Sequence, residues 1–379
     1  MGFLNGRVTY VRYRVGGDGP LPFGEDLLER VAAHAIGKHG MGDAADGVTF
    51  GWSGGDHVLD VTFGLEKSIL NDALHLAIRI DTDKIPGDLL KAYTRIETDA
   101  RAQLSPSGFA SKAQKLEAKE AAQARAESEA ADGRFRRRKH FPVLWDGTTN
   151  TLYAGSGSAS VLDRLQNLFR ETFDRPLEPI TSGTLAAERV GCDFAPVAFL
   201  GPDPDALAAV AWSGADPNQP DHWGNEFLLW LWHALQIDGD TLELADGSEV
   251  TVMFAKTLML DCPRGLTGSD SLKDEGPAKL PEAFRAIQSG KLPRKAGLIV
   301  VRHGVQYDLT LQAETLAVSG LALPKPEGAS GREAHMARID SLRHLVETLD
   351  LLYDLYGRRR TGPDWAGNLG RIRSWLSAA

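Results

Sequence analysis

Apolar positions along this chain change period several times, and each change marks an element. Val8, Tyr10 and Val11 to Val15 predict a first strand. Leu27, Leu28, Val31 and Ala35 recur at helical spacing over residues 25–36, with Gly37 as the stop. Val48-Thr49-Phe50 and the alternating run Val58 to Phe63 predict a hairpin joined through Gly51, Gly54 and Gly55, and Leu76 to Ile80 a further strand. From Pro86 the residues are helix formers. Leu89, Leu90, Tyr93, Ile96, Ala100 and Leu104 form one stripe, broken at Ser105-Pro106-Ser107-Gly108. The next helix, 109–131, is rich in Ala, Lys and Glu and nearly lacks large apolar residues. It can bury little, which predicts a projecting helical hairpin.

A strand over Arg134 to Trp145 then turns through Asp146-Gly147-Thr148-Thr149-Asn150 into Thr151 to Ala154. Leu162, Leu165, Leu168 and Phe169 mark an amphipathic helix over 161–173, and Glu226 to Trp232 a very apolar one. Leu242 and Leu244, then Asp246-Gly247, then Val250, Val252 and Phe254 read as a hairpin. Glu282 to Ser289 reads as a short helix stopped by Gly290. Leu298 to Val301 with Tyr307, Leu309 and Leu311 make another hairpin. After the linker Lys325 to Gly328, a helix over 332–356 carries Ile339, Leu342, Val346, Leu349, Tyr353 and Tyr356. That is a short heptad seam, either packed on its own domain or used for dimerisation.

The pattern predicts an α+β chain: antiparallel sheets with packed helices, a projecting helical hairpin and a C-terminal helical extension. The expected parts are a central domain (1–85 with 134–182), the hairpin (86–133), a second α+β domain (183–324) and the extension (325–379). A length of 379 residues suits several structural units. The 42% hydrophobic and 25% charged residues are those of a globular protein, and no apolar run is long enough to cross a bilayer. The start of the chain has neither a signal-peptide layout nor a myristoylation pattern, and Cys192 and Cys262 make no disulfide framework. A cytoplasmic setting is the expectation.

The net charge of −9 argues at first sight against a polyanion partner. The cations are segregated, however. Between Arg101 and His140 stand ten Lys or Arg against five acidic residues. Lys112, Lys115 and Lys119 share a helix face. Strand alternation places Arg134, Arg136, Arg138 and His140 on one face, with Arg137 and Lys139 on the other. Three stacked arginines repel one another unless anions cover them, and duplex phosphates are such anions. The alternative is an edge strand charged against aggregation, a role lysine usually fills. No spaced aromatic platform accompanies the arm, so duplex rather than single-strand binding is expected, without sequence preference. About five phosphate contacts would give a log-log salt slope of roughly −4 to −5.

Catalytic patterns are weaker. Gly51-Trp52-Ser53-Gly54-Gly55 fits G-x-S-x-G, but a strand rather than a helix is expected to follow. Gly155 to Ser160 lacks the third dinucleotide glycine and the Walker lysine, and reads as a strand-to-helix turn with a serine cap. Asp60, Asp81, Asp83 and Glu97 could serve a magnesium-dependent nuclease, though their spacing fits no motif. His222 and His233 read as structural, and Trp223, Trp230 and Trp232 as core.

The order of features resembles the recombination-associated protein RdgC family, in its longer form with a C-terminal extension. The resemblance is carried first by the Lys/Glu-rich arm leading into Arg134-Phe135-Arg136-Arg137-Arg138-Lys139-His140-Phe141-Pro142-Val143-Leu144-Trp145-Asp146. Leu168 to Phe173 with Leu177 to Gly183, and Asn225 to Trp232, carry it further. So do Glu282 to Lys291, Arg294-Lys295-Ala296, Thr310-Leu311 and Leu321 to Pro324. It spans about residue 80 to the end; the first 75 residues match only in α+β character. The resemblance implies a non-enzymatic homodimer closed into a ring around duplex DNA. It implies a nucleoid location, restraint of recombinase filaments, and no cofactor. It carries DNA contact onto the basic strand, with Lys291, Arg294 and Lys295 as a second group, and puts an aromatic gate at the hairpin tip, where Phe109 stands. The competing expectations are a metal-dependent nuclease or other DNA-processing enzyme, and a structural oligomer that binds no nucleic acid.

Overall fold

The computed structural model describes residues 2–17, 19, 21–38, 47–191, 221–262, 268–325 and 328–378. In chain order the elements begin with β1 (Val8–Val15), α1 (Glu25–Ala33), β2 (Val48–Ser53), α2 (Leu65–Ser68), β3 (Ile69–Leu70) and β4 (Ala73–Asp83). Next come α3 (Gly87–Leu104), α4 (Lys112–Ala130), β5 (Arg136–Asp146), β6 (Thr151–Ala154), α5 (Ala159–Phe173), β7 (Leu177–Pro179) and α6 (Ser182–Val190). Then α7 (His222–Ile237), β8 (Thr241–Glu243), β9 (Glu249–Asp261), β10 (Ser269–Leu272), α8 (Pro281–Gln288) and β11 (Leu292–Arg302) follow. The chain closes with β12 (Val305–Gln312), β13 (Val318–Ala322), α9 (Gly331–Thr361) and α10 (Trp365–Ala378). The fold is α+β. No helix among the described residues is long and apolar enough to cross a membrane.

Two compact units emerge. One comprises Met1–Phe23, Glu66–His75 and Pro142–Ala379; the other comprises Gly24–Leu65 and Leu76–Phe141. The larger unit thus gathers segments of three expected parts, and the smaller one holds the helical hairpin together with β2 and most of β4.

In the larger unit the strands run in the order β10-β9-β11-β12-β13-β1-β6-β5, each neighbour antiparallel. Tyr307, Leu309 and Leu311 of β12 are buried in alternation, as a one-face-buried strand requires. Helix α7 is apolar all round and therefore buried on every side, from Trp223 to Ala234. Its aromatic rings meet α9 edge-on, Phe227 against Tyr353 at 5.3 Å and Trp223 against Tyr356 at 5.5 Å. Gly224 is obligatory there: a Cβ would stand 1.8 Å from the Ala313 carbonyl oxygen. The α9 seam resolves in favour of self-packing, since Ile339, Leu342, Leu345, Leu349, Leu352, Tyr353 and Tyr356 all join this core. Ion pairs hold the helix in place: Asp350 to Arg12 at 2.8 Å, Arg343 to Asp146 at 2.9 Å, and Arg360 to Glu226 at 3.0 Å.

In the smaller unit β2 pairs antiparallel with β4, from Val48 opposite Thr82 to Ser53 opposite Ala77. This corrects the expected hairpin with Val58 to Phe63, which form no strand. The Asp60 carboxylate accepts bonds from the Asp56 amide and from the Thr62 amide and hydroxyl, folding that segment onto itself. The end of α1 is tied to β2 by Ile36 N–H to the Trp52 carbonyl (2.9 Å) and Trp52 N–H to the His34 carbonyl (3.0 Å). The hairpin is α3 against α4. The sole buried side chains of α4 are Ala118, Ala122 and Ala126, a strip at i, i+4, i+8 small enough for close helix approach. Ser111 and Gln114 form a capping box at the start of α4. The Tyr93 hydroxyl donates to Glu129 at 2.7 Å, beneath the Arg125 guanidinium, 4.2 Å from the ring.

Candidate nucleic-acid interface

The chain leaves α4 through a turn and enters β5 at its most basic point. The strand starts at Arg136, so Arg134 belongs to the turn, where its amide donates to the Asp132 carboxylate at 2.9 Å. The expected row of three arginines therefore shortens to Arg136 and Arg138 on the strand. All four side chains from Arg136 to Lys139 are exposed.

Their partners divide them into two classes. Arg136 presents Nε and Nη2 to Asp83, at 3.0 and 2.8 Å, as a two-pronged pair. Arg138 Nε lies 3.6 Å from Asp81, which is itself clamped by Arg79 at 2.7 and 2.6 Å. Arg79, Asp81 and Asp83 are alternate residues of β4, the neighbour of β5, so charges of opposite sign face each other across two strands. Arg134 is held by Asp132 at 2.7 Å and approached by Glu129 at 3.6 Å. These bonds push the Arg134 and Arg136 guanidinium pKa values up and hold Asp132 below the usual carboxylate range. Burial lowers the pKa of His140, the next residue on that face. The self-repelling arginine face anticipated from β5 alone is in fact neutralised by carboxylates of the protein.

The second class is uncommitted. Arg137 and Lys139 point to the other face of β5, and Lys112, Lys115 and Lys119 lie along α4; all five are exposed and have no carboxylate partner among the described residues. The three lysines rise along the helix by roughly 4.5 and 6 Å. At the tip Phe109 is 79% exposed and Leu104 85%.

The second expected group is largely occupied within the larger unit. Lys291 is buried and bonds Asp270 at 2.5 Å, and Arg294 bridges Asp261 at 2.8 Å and Glu314 at 3.2 Å. Lys295 alone of the three is exposed without a carboxylate partner among the described residues.

The catalytic patterns come apart in three dimensions. Ser53 is a buried member of β2 whose hydroxyl donates to the Ala77 carbonyl at 3.4 Å, so it sits on no elbow. Ser158 occupies the N-cap of α5 but its side chain caps nothing; it contacts the Ser160 hydroxyl instead. Of the four nuclease candidates, Asp60 organises its loop, Asp81 and Asp83 pair with arginines, and Glu97 pairs with Arg101 at 2.7 Å. Among the described residues no three His, Cys, Asp or Glu side chains converge as metal ligands. Trp223, Trp230 and Trp232 are core, and the His233 ring packs on Trp375 at 5.4 Å. Cys262 is buried, and Cys192 lies outside the described residues, as do Pro326 and Glu327 of the expected linker.

Sequence reasoning missed Asp81 and Asp83 as partners of the arm. A signal was present: Arg79-x-Asp81-x-Asp83 and Arg136-x-Arg138 are strand-alternating charge patterns on either side of one helical hairpin. No protein-family model and no curated protein matches the chain.

Proposed function

We propose that this chain binds duplex DNA without sequence preference and without chemistry on it. In this reading it acts as a homodimer of the ring-forming kind that its sequence resembles, associates with the nucleoid, and limits recombinase filaments by occupying the duplex. The observation that carries the reading is the set of five exposed, uncommitted cations, Lys112, Lys115, Lys119, Arg137 and Lys139, in a protein of net charge −9. Cations left unpaired in an acidic protein gain most from an external polyanion, because each contact releases condensed counterions. The absence of a base-reading pattern fits contact with the backbone alone.

The test is fluorescence anisotropy on duplexes of unrelated sequence over a salt series. Five contacts predict a slope of roughly −4 to −5 that is the same for every sequence. Lys112→Ala, Lys115→Ala and Lys119→Ala together should weaken all duplexes equally and lower the slope by about 2.7. Unchanged affinity would remove the arm from the reading, and plasmid cleavage abolished by loss of a single acid would replace it with an enzyme.

A further inference from the structure

We infer that Asp83 and Asp132 are a built-in guard on the arginines of the arm, setting its affinity for polyanions below what its cations allow. The inference rests on the duplex-binding reading and concerns how that same surface is regulated. A guanidinium recognises phosphate with the fork it uses for a carboxylate, two parallel N–H donors on one side of the plane. In Arg136 that side, Nε and Nη2, is taken by Asp83 at 3.0 and 2.8 Å. In Arg134 the same edge is taken by Asp132, at 3.0 Å from Nε and 2.7 Å from Nη2. A phosphate can use this Nε/Nη2 edge of either arginine only by displacing the acid, and the Nη1 side, which in Arg134 faces Glu129 at 3.6 Å, is what remains for it otherwise.

Arg137 and Lys139, which alternate with Arg136 and Arg138 on β5, carry no such acid among the described residues. The strand therefore offers two sets of cations, one available at once and one released by exchange. Both pairs are partly exposed, with Arg136 and Asp83 side chains at 41% and 38%, so water screens them and exchange is cheap. A protein that must hold duplex without pinning it to one place gains from such a guard. Its phosphate contacts stay few, and its dwell time short, until a denser anion competes the acids away.

The experiment compares Asp83→Asn and Asp132→Asn with Glu120→Gln, each in the full chain, on one duplex over a salt series. Glu120 is exposed on α4 and has no cationic partner among the described residues, so its variant reports the general effect of removing a negative charge. Each guard variant should tighten binding by about twofold to fivefold beyond that control, the range of an exposed ion pair. Each should also steepen the slope by about 0.9, one further phosphate contact. In an Arg136→Ala background the gain from Asp83→Asn should fall to that of Glu120→Gln. A gain no larger than that of Glu120→Gln in the wild-type background, an unchanged slope, or a gain beyond the control that survives loss of Arg136 would each overturn the guard. If neither wild type nor variants bind duplex, the duplex-binding reading itself falls and the guard falls with it.

Discussion

Removing Arg137 and Lys139 should cost more duplex affinity than removing an arginine together with its acid. Both deleted side chains are exposed on β5 and neither has a carboxylate partner among the described residues, so each truncation deletes one available phosphate contact. A contact contributes roughly 0.9 to the log-log salt slope, so the pair should lower the slope by about 1.8. Relative to a 1 M salt reference, that is about a sixtyfold loss of affinity at 0.1 M salt. The comparison variant is Arg136→Ala with Asp83→Ala. It deletes one cation and one anion already bonded to each other at 2.8 Å, and leaves the local charge unchanged. Its affinity should stay within about twofold of wild type, with the slope unchanged, because an exposed pair of this kind is worth little in either direction. Anisotropy titrations of a labelled duplex between 50 and 300 mM salt, roughly the range where such slopes are measured, separate the two cases. If the balanced Arg136/Asp83 deletion lost as much as Arg137/Lys139, the division into committed and uncommitted cations would be refuted.

Three further outcomes test the larger unit. Asp350→Ala strands Arg12, whose side chain is 6% exposed, and should cost about 3–5 kcal/mol in urea unfolding, as an uncompensated buried charge does. Gly224→Ala should cost about 1–3 kcal/mol or prevent folding, since the new Cβ would overlap the Ala313 carbonyl; a fully stable variant would refute the close approach. Burial holds His222 and His233 below the ordinary imidazole pKa of 6.5, so the fold binds fewer protons there than the unfolded chain does. Their contribution is full above pH 6.5 and is lost as pH falls through the lower folded values. His222→Asn with His233→Gln should therefore flatten the loss of urea midpoint between pH 7 and 5; an identical profile would show that these groups carry none of it.

Elements whose period is strong were legible without coordinates. The alternation in β12, the all-round apolar face of α7 and the helix-rich hairpin each depend on neighbours within a few residues, and the chain forms them where the pattern places them. The composition of α4 implied that it could bury little, and its buried side chains are alanines alone. Local pattern failed at Val58 to Phe63, where alternation promised a strand and the Asp60 carboxylate instead took the backbone amides that a ladder would have used. The α9 seam read as at least as consistent with self-packing as with dimerisation, and the surrounding core, with the ion pairs to Arg12, Asp146 and Glu226, shows it packed on its own chain.

The basic arm shows the same division most clearly. By itself the sequence determined that cations concentrate between Arg101 and His140 and that alternation sorts them onto two strand faces. Which face is available was a tertiary matter. Asp83 stands 53 residues before Arg136, and no window of local sequence relates them. Pairing of β4 beside β5 brings the two into contact, and Coulomb attraction at hydrogen-bond distance then commits the arginines. Charge composition is additive along a chain, but charge availability depends on what the fold places opposite each group.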